Sequence, residues 1–188
     1  MSIYINRIST KQAFLILISL SLLSGLIAFI TNILYIEEMN IITESTENAK
    51  MLLTIITSIL ASITPLFIIG SFFFILIVTA MIQVISSLDY KSQIFKIALL
   101  SYLPVFIGSL INFILTLIFG FSETGYISFA FLNNEGIINE VLLETPPFQI
   151  ISYIMLAYLY KVYYQKSQIT FYLILSVFLS LIIINVLI

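Results

Sequence analysis

The side chains that most often do chemistry in proteins are missing from this sequence. Its 188 residues include no cysteine, no histidine and no tryptophan, which removes thiolate nucleophiles, imidazole bases and the nitrogen and sulfur donors of most metal sites. Hydroxyls, carboxylates and amines remain. A serine nucleophile has no histidine partner, a serine-lysine dyad would need a lysine deep in an apolar segment, and there is no glycine-rich phosphate loop. The acidic residues are scattered without the spacing of a calcium loop. No catalytic, cofactor-binding or metal-ligating residue is therefore expected, and no nucleic acid partner.

The elements that carry these residues are membrane helices. With 61% hydrophobic residues, a mean hydropathy of +1.19 and 9% charged residues, against roughly 25% in soluble domains, the chain reads as an all-α integral membrane protein. Charges divide it into apolar blocks: Ala13 to Tyr35, Met51 to Leu88, Ile97 to Phe119, Phe148 to Tyr160 with a tyrosine-rich tail, and Ile169 to Ile188. The first, roughly 35 Å long as a helix, is long enough to cross a hydrocarbon core and too long for a signal-peptide core, so it reads as a retained crossing. The second would be roughly 57 Å long, too much for one ordinary crossing. Pro65 supplies the expected hinge, because proline lacks an amide donor and clashes with the preceding turn.

Basic residues select the topology. If the long block crosses once, Arg7, Lys11, Lys91, Lys96, Lys161 and Lys166 share the cytoplasmic side and only Lys50 lies outside. A full hairpin would strand five of the seven outside. The reading is a five-crossing helical bundle with its N-terminus inside, a single transmembrane domain over 1–188. Its crossings fall at about 13–35, 65–88, 97–119, 148–164 and 169–188, with an extra outer-side helix over 51–64 before the Pro65 kink. Lys91 and Lys96 fall in a short cytoplasmic connection, and Tyr35, Tyr90, Tyr158, Tyr160, Tyr163 and Tyr164 supply an interfacial belt in place of tryptophan.

Small and polar residues recur at helical spacing. Ser21, Ser24, Gly25, Ala28 and Asn32 form one stripe, and Thr54, Thr57, Ser58, Ala61 and Ser62 form another. Such faces let helix backbones approach closely, so Ser21, Gly25, Ala28, Thr54, Ser58, Ala61 and Ser62 are candidates for helix packing or a partner interface. Gly108 and Asn112 extend the set to the third block, where Asn112 is expected to make an interhelical hydrogen bond because an amide at membrane depth needs a partner.

The outer side differs in charge. Segments 36–50 and 120–147 carry eight glutamates and Lys50, giving −7, against +5 from six basic residues and Asp89 inside. A solvated surface is the plain reading; attraction of a cationic peptide is the functional one. The second segment contains Phe129, Phe131, Glu135 and Glu140 and apolar residues at helical spacing, which marks it as a candidate docking surface, and Pro146 and Pro147 then start the fourth crossing.

The adjacent Glu37 and Glu38 are similar to the paired glutamates of CAAX-type intramembrane proteases, but the arginine and histidines of that pattern are absent. A wider likeness is to the Yip1 family of small multispanning membrane proteins. The chain resembles it in the interrupted helix through Pro65, the link Asp89-Tyr90-Lys91-Ser92-Gln93, Tyr102-Leu103-Pro104 in the next crossing, and two final crossings joined over Lys161 to Gln168. For short bacterial-type members the resemblance implies a non-enzymatic accessory of ABC-type exporters in the bacterial cytoplasmic membrane, acting in export of or protection against toxic peptides. The alternatives are a stand-alone immunity or sequestering protein and, behind it, an integral substrate-binding subunit of an importer. Reporter fusions at Lys91 and Glu135 should lie on opposite sides of the membrane; finding both on one side would rule out five crossings.

Overall fold

The computed structural model describes residues 5, 7–35, 47–83, 90–122, 125–129 and 146–187. The described residues form five main helices: α1 Thr10–Tyr35, α2 Glu47–Ile82, α3 Tyr90–Phe119, α4 Pro147–Tyr163 and α5 Gln168–Leu187. α1, α2 and α3 are long and apolar enough to cross a membrane, as expected of an integral membrane protein. Their large apolar side chains point outward as well as inward, with Leu22, Phe67 and Phe74 all about two-thirds exposed or more, which water would penalise and lipid would not.

Local chemistry sets the helix ends. α1 begins with a reciprocal cap in which Ser9 Oγ accepts from the Gln12 amide at 3.1 Å and Gln12 Oε1 accepts from the Ser9 amide at 2.8 Å. α3 stops at Gly120, whose φ of +93° is open to glycine and whose amide donates to the Thr116 carbonyl at 2.9 Å. Pro147 opens α4 with its φ preset for a helix. The α4–α5 link turns at Gln165, with φ 51°, and Lys166 N–H closes back on Lys161 O at 2.9 Å.

Contacts at both ends show that successive helices alternate in direction. At one end Thr10 Oγ1 lies 2.8 Å from Ser92 Oγ, Gln83 Nε2 donates to Thr170 Oγ1 at 2.8 Å, and Tyr164 Oη donates to the Tyr90 carbonyl at 3.2 Å. At the other end Tyr35 Oη donates to the Thr116 carbonyl at 3.0 Å. Arg7, Lys11, Lys91, Lys96, Lys161 and Lys166 thus gather at the first end, called the basic end below, and Glu47 and Lys50 at the opposite one. The core lies between the first half of α1, the second half of α2 and helices α3, α4 and α5. There Phe72 packs edge-on to Tyr153 and Phe178 at 5.9 and 5.5 Å, the latter two rings being stacked at 4.3 Å.

Three expectations change. Residues 51–64 are not a separate helix: α2 runs unbroken through Pro65 for 36 residues, or roughly 54 Å. Pro65 is buried, and losing one backbone hydrogen bond costs less than unwinding a turn in apolar surroundings. Residues 51–64 run alongside the second half of α1, where Asn32 Nδ2 donates to Thr57 Oγ1. Second, Tyr90–Gln93 is the first turn of α3 rather than a link, and Lys96 is only 6% exposed, its stem packed along the helix as long basic side chains permit. Third, Tyr160 faces the core with no exposed surface, so it is a packing residue and not part of an interfacial belt. Residues 84–88, expected to complete the second crossing, lie outside the described residues.

α1 and α2 come into close contact at Gly25. A Cβ there would fall 1.9 Å from Ser62 Oγ and 3.1 Å from both Ser62 Cβ and the Ser58 carbonyl. Gly25→Ala should therefore destabilise the protein by about 1–3 kcal/mol, and Ser62→Ala should recover part of that loss by removing the nearest atom. Thermal unfolding of the single and double variants in detergent checks this; additive losses would show that Gly25 is not set against Ser62.

Candidate functional site: the α1–α2 seam and the Asn112 turn

The small-residue stripes meet each other. Gly25 of α1 sits against Ser58 and Ser62 of α2, so the two faces expected to serve packing or a partner are largely consumed within the chain. Their hydroxyls are satisfied locally: Thr54 donates to the Lys50 carbonyl at 3.0 Å, Ser58 to Thr54 at 2.6 Å, and Ser62 to Ser58 at 2.9 Å. Thr57 divides its hydrogen between the Leu53 and Thr54 carbonyls, at 2.9 and 3.1 Å, and accepts from Asn32. Bonding back to the preceding turn leaves these side chains neither wet nor reaching for a ligand. Ser21 is the exception, its hydroxyl oxygen being buried with no hydrogen-bond partner.

Ala28 and Ala61 lie beside a cavity of about 240 Å³ between α1, α2 and α3, which Ser24, Thr64, Tyr102 and Ser109 also line. Small side chains leave the space, and four hydroxyls give it a neutral polar wall. Tyr102 is 3% exposed, so its ring closes the cavity from the α3 side. The cavity suits water or a small neutral hydrogen-bonding group, and has no carboxylate or amine in its lining.

Gly108 and Asn112 form a second feature, near the end opposite the basic residues. A Cβ on Gly108 would meet Phe148 Cγ at 2.7 Å, so the glycine admits the first aromatic ring of α4 against α3. Asn112 Oδ1 accepts from the Tyr126 amide at 2.6 Å. The partner is thus the backbone that follows α3, where an interhelical bond had been expected. Tyr126 Oη in turn donates to the Gly120 carbonyl at 2.9 Å, and its ring lies 5.9 Å from Phe119. Gly125 makes the turn feasible: its φ is +72°, and a side chain there would meet the Asn112 amide at 3.1 Å. A cavity of about 210 Å³ opens between this turn and the start of α4, bordered by Ser109, Asn112, Ile127, Phe148 and Gln149.

Of the four candidate docking residues, Phe129 is half-buried at the end of this turn, and Phe131, Glu135 and Glu140 lie outside the described residues. Among the described residues no group of three or more His, Cys, Asp or Glu side chains is placed to hold a metal. The arrangement can therefore position and recognise through neutral hydrogen bonds and apolar contact. Tyr126, Phe148 and Gln83 were missed in the sequence; the paired glycines at 120 and 125 were the one available signal, since they mark a turn without saying what closes it. Compared with protein-family models, with curated proteins and with solved structures, the chain matches none.

Asn112→Ala should remove the acceptor of the Tyr126 amide, a loss of about 0.5–1.5 kcal/mol, confined to the turn. Faster amide exchange or proteolysis over residues 120–129, with the unfolding temperature of the bundle little changed, is the expected result.

Proposed function

We propose that the chain is a five-crossing protein of the bacterial cytoplasmic membrane, N-terminus inside, which acts without catalysis as an accessory to another membrane protein. ABC-type exporter subunits are the leading partner, in export of or protection against toxic peptides, as the resemblance to short Yip1-family members implies. The observation that carries the accessory reading is the built turn at the end opposite the basic residues, where Asn112 and Gly120 hold the Tyr126 backbone and side chain in one conformation. Tyr126 is left exposed there, and an ordered, exposed aromatic residue is the kind of group that anchors protein contacts.

The route to a partner differs from the one expected of the stripes. Because Gly25 faces Ser58 and Ser62 within the chain, contact with exporter helices falls to the exposed apolar flanks of α1 and α2, such as Leu22 and Phe67. The turn beside Phe129, with the acidic connections joined to that end, supplies the contact outside the bilayer. A cationic peptide is drawn to the same end by charge.

Purification of the tagged chain from native membranes in mild detergent, with mass spectrometry of what stays bound, tests this. Exporter subunits in stoichiometric amount, reduced several-fold by Asn112→Ala and Tyr126→Ala, are the expected result. A chain that runs alone and still protects cells when the exporter ATPase is disabled would overturn it in favour of stand-alone immunity.

A further inference from the structure

The basic end carries a groove that neither the seam nor the turn explains. It has a volume of about 480 Å³ and runs as an open trough between α1, α2 and α3. Its floor and walls are apolar: Phe14 and Leu17 from α1, Leu66 and Ile69 from α2, and Phe95 from α3. The aromatic rings are fixed, with Phe14 stacked on Phe95 at 5.0 Å and Phe73 edge-on to Phe95 at 6.3 Å. Gly70 borders open space in the groove, since a Cβ there would meet nothing within 4 Å, so a large side chain at that position would project into it. From Thr10 to Leu17 the groove follows α1 for roughly 10 Å.

Its mouth is different. Lys91, Ser92 and Thr10 form the polar rim, the two hydroxyls being 2.8 Å apart. Lys91 is exposed, and Lys11 follows Thr10 directly. An ammonium and two hydroxyls at the mouth of an open apolar trough match one molecule with a negative head and a hydrocarbon tail. We infer that this groove binds an anionic glycerophospholipid, one acyl chain lying between Phe14, Ile69, Gly70 and Phe95 and the phosphate meeting Lys91, Ser92 and Thr10. Charge complementarity decides for an anionic lipid over a zwitterionic one: the basic end carries six Lys and Arg residues against Asp89 in the sequence. A partner helix is less suited, because it would set an apolar surface against the Lys91 ammonium. The site lies at the other end of the bundle from the Asn112 turn, so its failure would leave the docking reading standing, and the reverse.

The test places the full chain in nanodiscs of phosphatidylglycerol mixed equally with phosphatidylcholine of the same acyl chains, followed by gentle release and native mass spectrometry. The wild type should retain one phosphatidylglycerol in preference to phosphatidylcholine by about fivefold, the discrimination that one basic residue gives beside an anionic surface. Lys91→Gln should bring the preference close to one. Gly70→Leu should lose both lipids while unfolding at the wild-type temperature, and Ser71→Leu, on the neighbouring face of α2, should keep them. Inorganic phosphate at millimolar concentration should not displace the lipid. Equal retention of the two lipids by the wild type, unchanged binding in folded Gly70→Leu, or a second copy of the chain in place of lipid whose loss follows Gly70→Leu would each overturn the assignment. Were Gly70→Leu not to fold, the Lys91→Gln comparison decides by itself.

Discussion

The close approach of α1 to α2 at Gly25 is the constraint on which the rest of the bundle depends. A helix pair in lipid gains little from burying apolar surface, since the tails are as apolar as leucine; packing at short distance and a few polar bonds must hold it. Gly25 lets the Ser58 and Ser62 turns come within contact of the α1 backbone, and Asn32 then reaches Thr57 two turns further along. With α1 fixed along α2, the 36-residue helix stands as one rod, and α3 can pack against both. Tyr35 to Thr116 at one end and Thr10 to Ser92 at the other tie that third helix in register.

Most hydroxyls on the described helices are satisfied at short range, Ser21 and Ser152 being exceptions, and that shapes what the protein can do. Thr54, Thr57, Ser58, Ser62, Thr79 and Ser101 all return their hydroxyl hydrogens to carbonyls of their own helix. Bonds between distant parts of the chain gather at the helix ends, where Gln83 joins α2 to Thr170 of α5 and Tyr160 of α4 lies 3.4 Å from its amide oxygen. Asn112, near the end opposite the basic residues, bonds to the chain that follows its own helix and organises a turn there. A scaffold of this kind offers surfaces at its two ends and lipid-facing flanks between them, which suits association and lipid contact.

The two ends differ in kind. At the basic end, Lys91 and two hydroxyls rim an apolar groove bordered by Gly70; at the other, glycines and one asparagine fold the chain leaving α3 into a defined turn. Glycine does opposite work in the two places. Gly70 leaves space unfilled, while Gly125 supplies a backbone angle of +72° that side chains avoid. Neither role follows from the residue type, and both depend on what stands opposite.

Much of the architecture was legible in the sequence. Hydropathy and length marked the helical blocks, Pro146 and Pro147 marked the start of α4, and the small-residue periodicity identified Gly25, Ser58 and Ser62 as contact positions. These features are local, encoded by neighbours along one helix. Only the tertiary structure decided that the two stripes face each other, that Asn112 serves a turn, that Lys96 and Tyr160 are buried, and that α2 continues through Pro65. Each of those outcomes depends on which helix comes to lie against which face, and periodicity within a helix fixes the face without naming its neighbour. For Pro65 the same holds: the sequence supplies a residue that weakens the helix, and the burial of that residue among packed neighbours decides that the helix goes on.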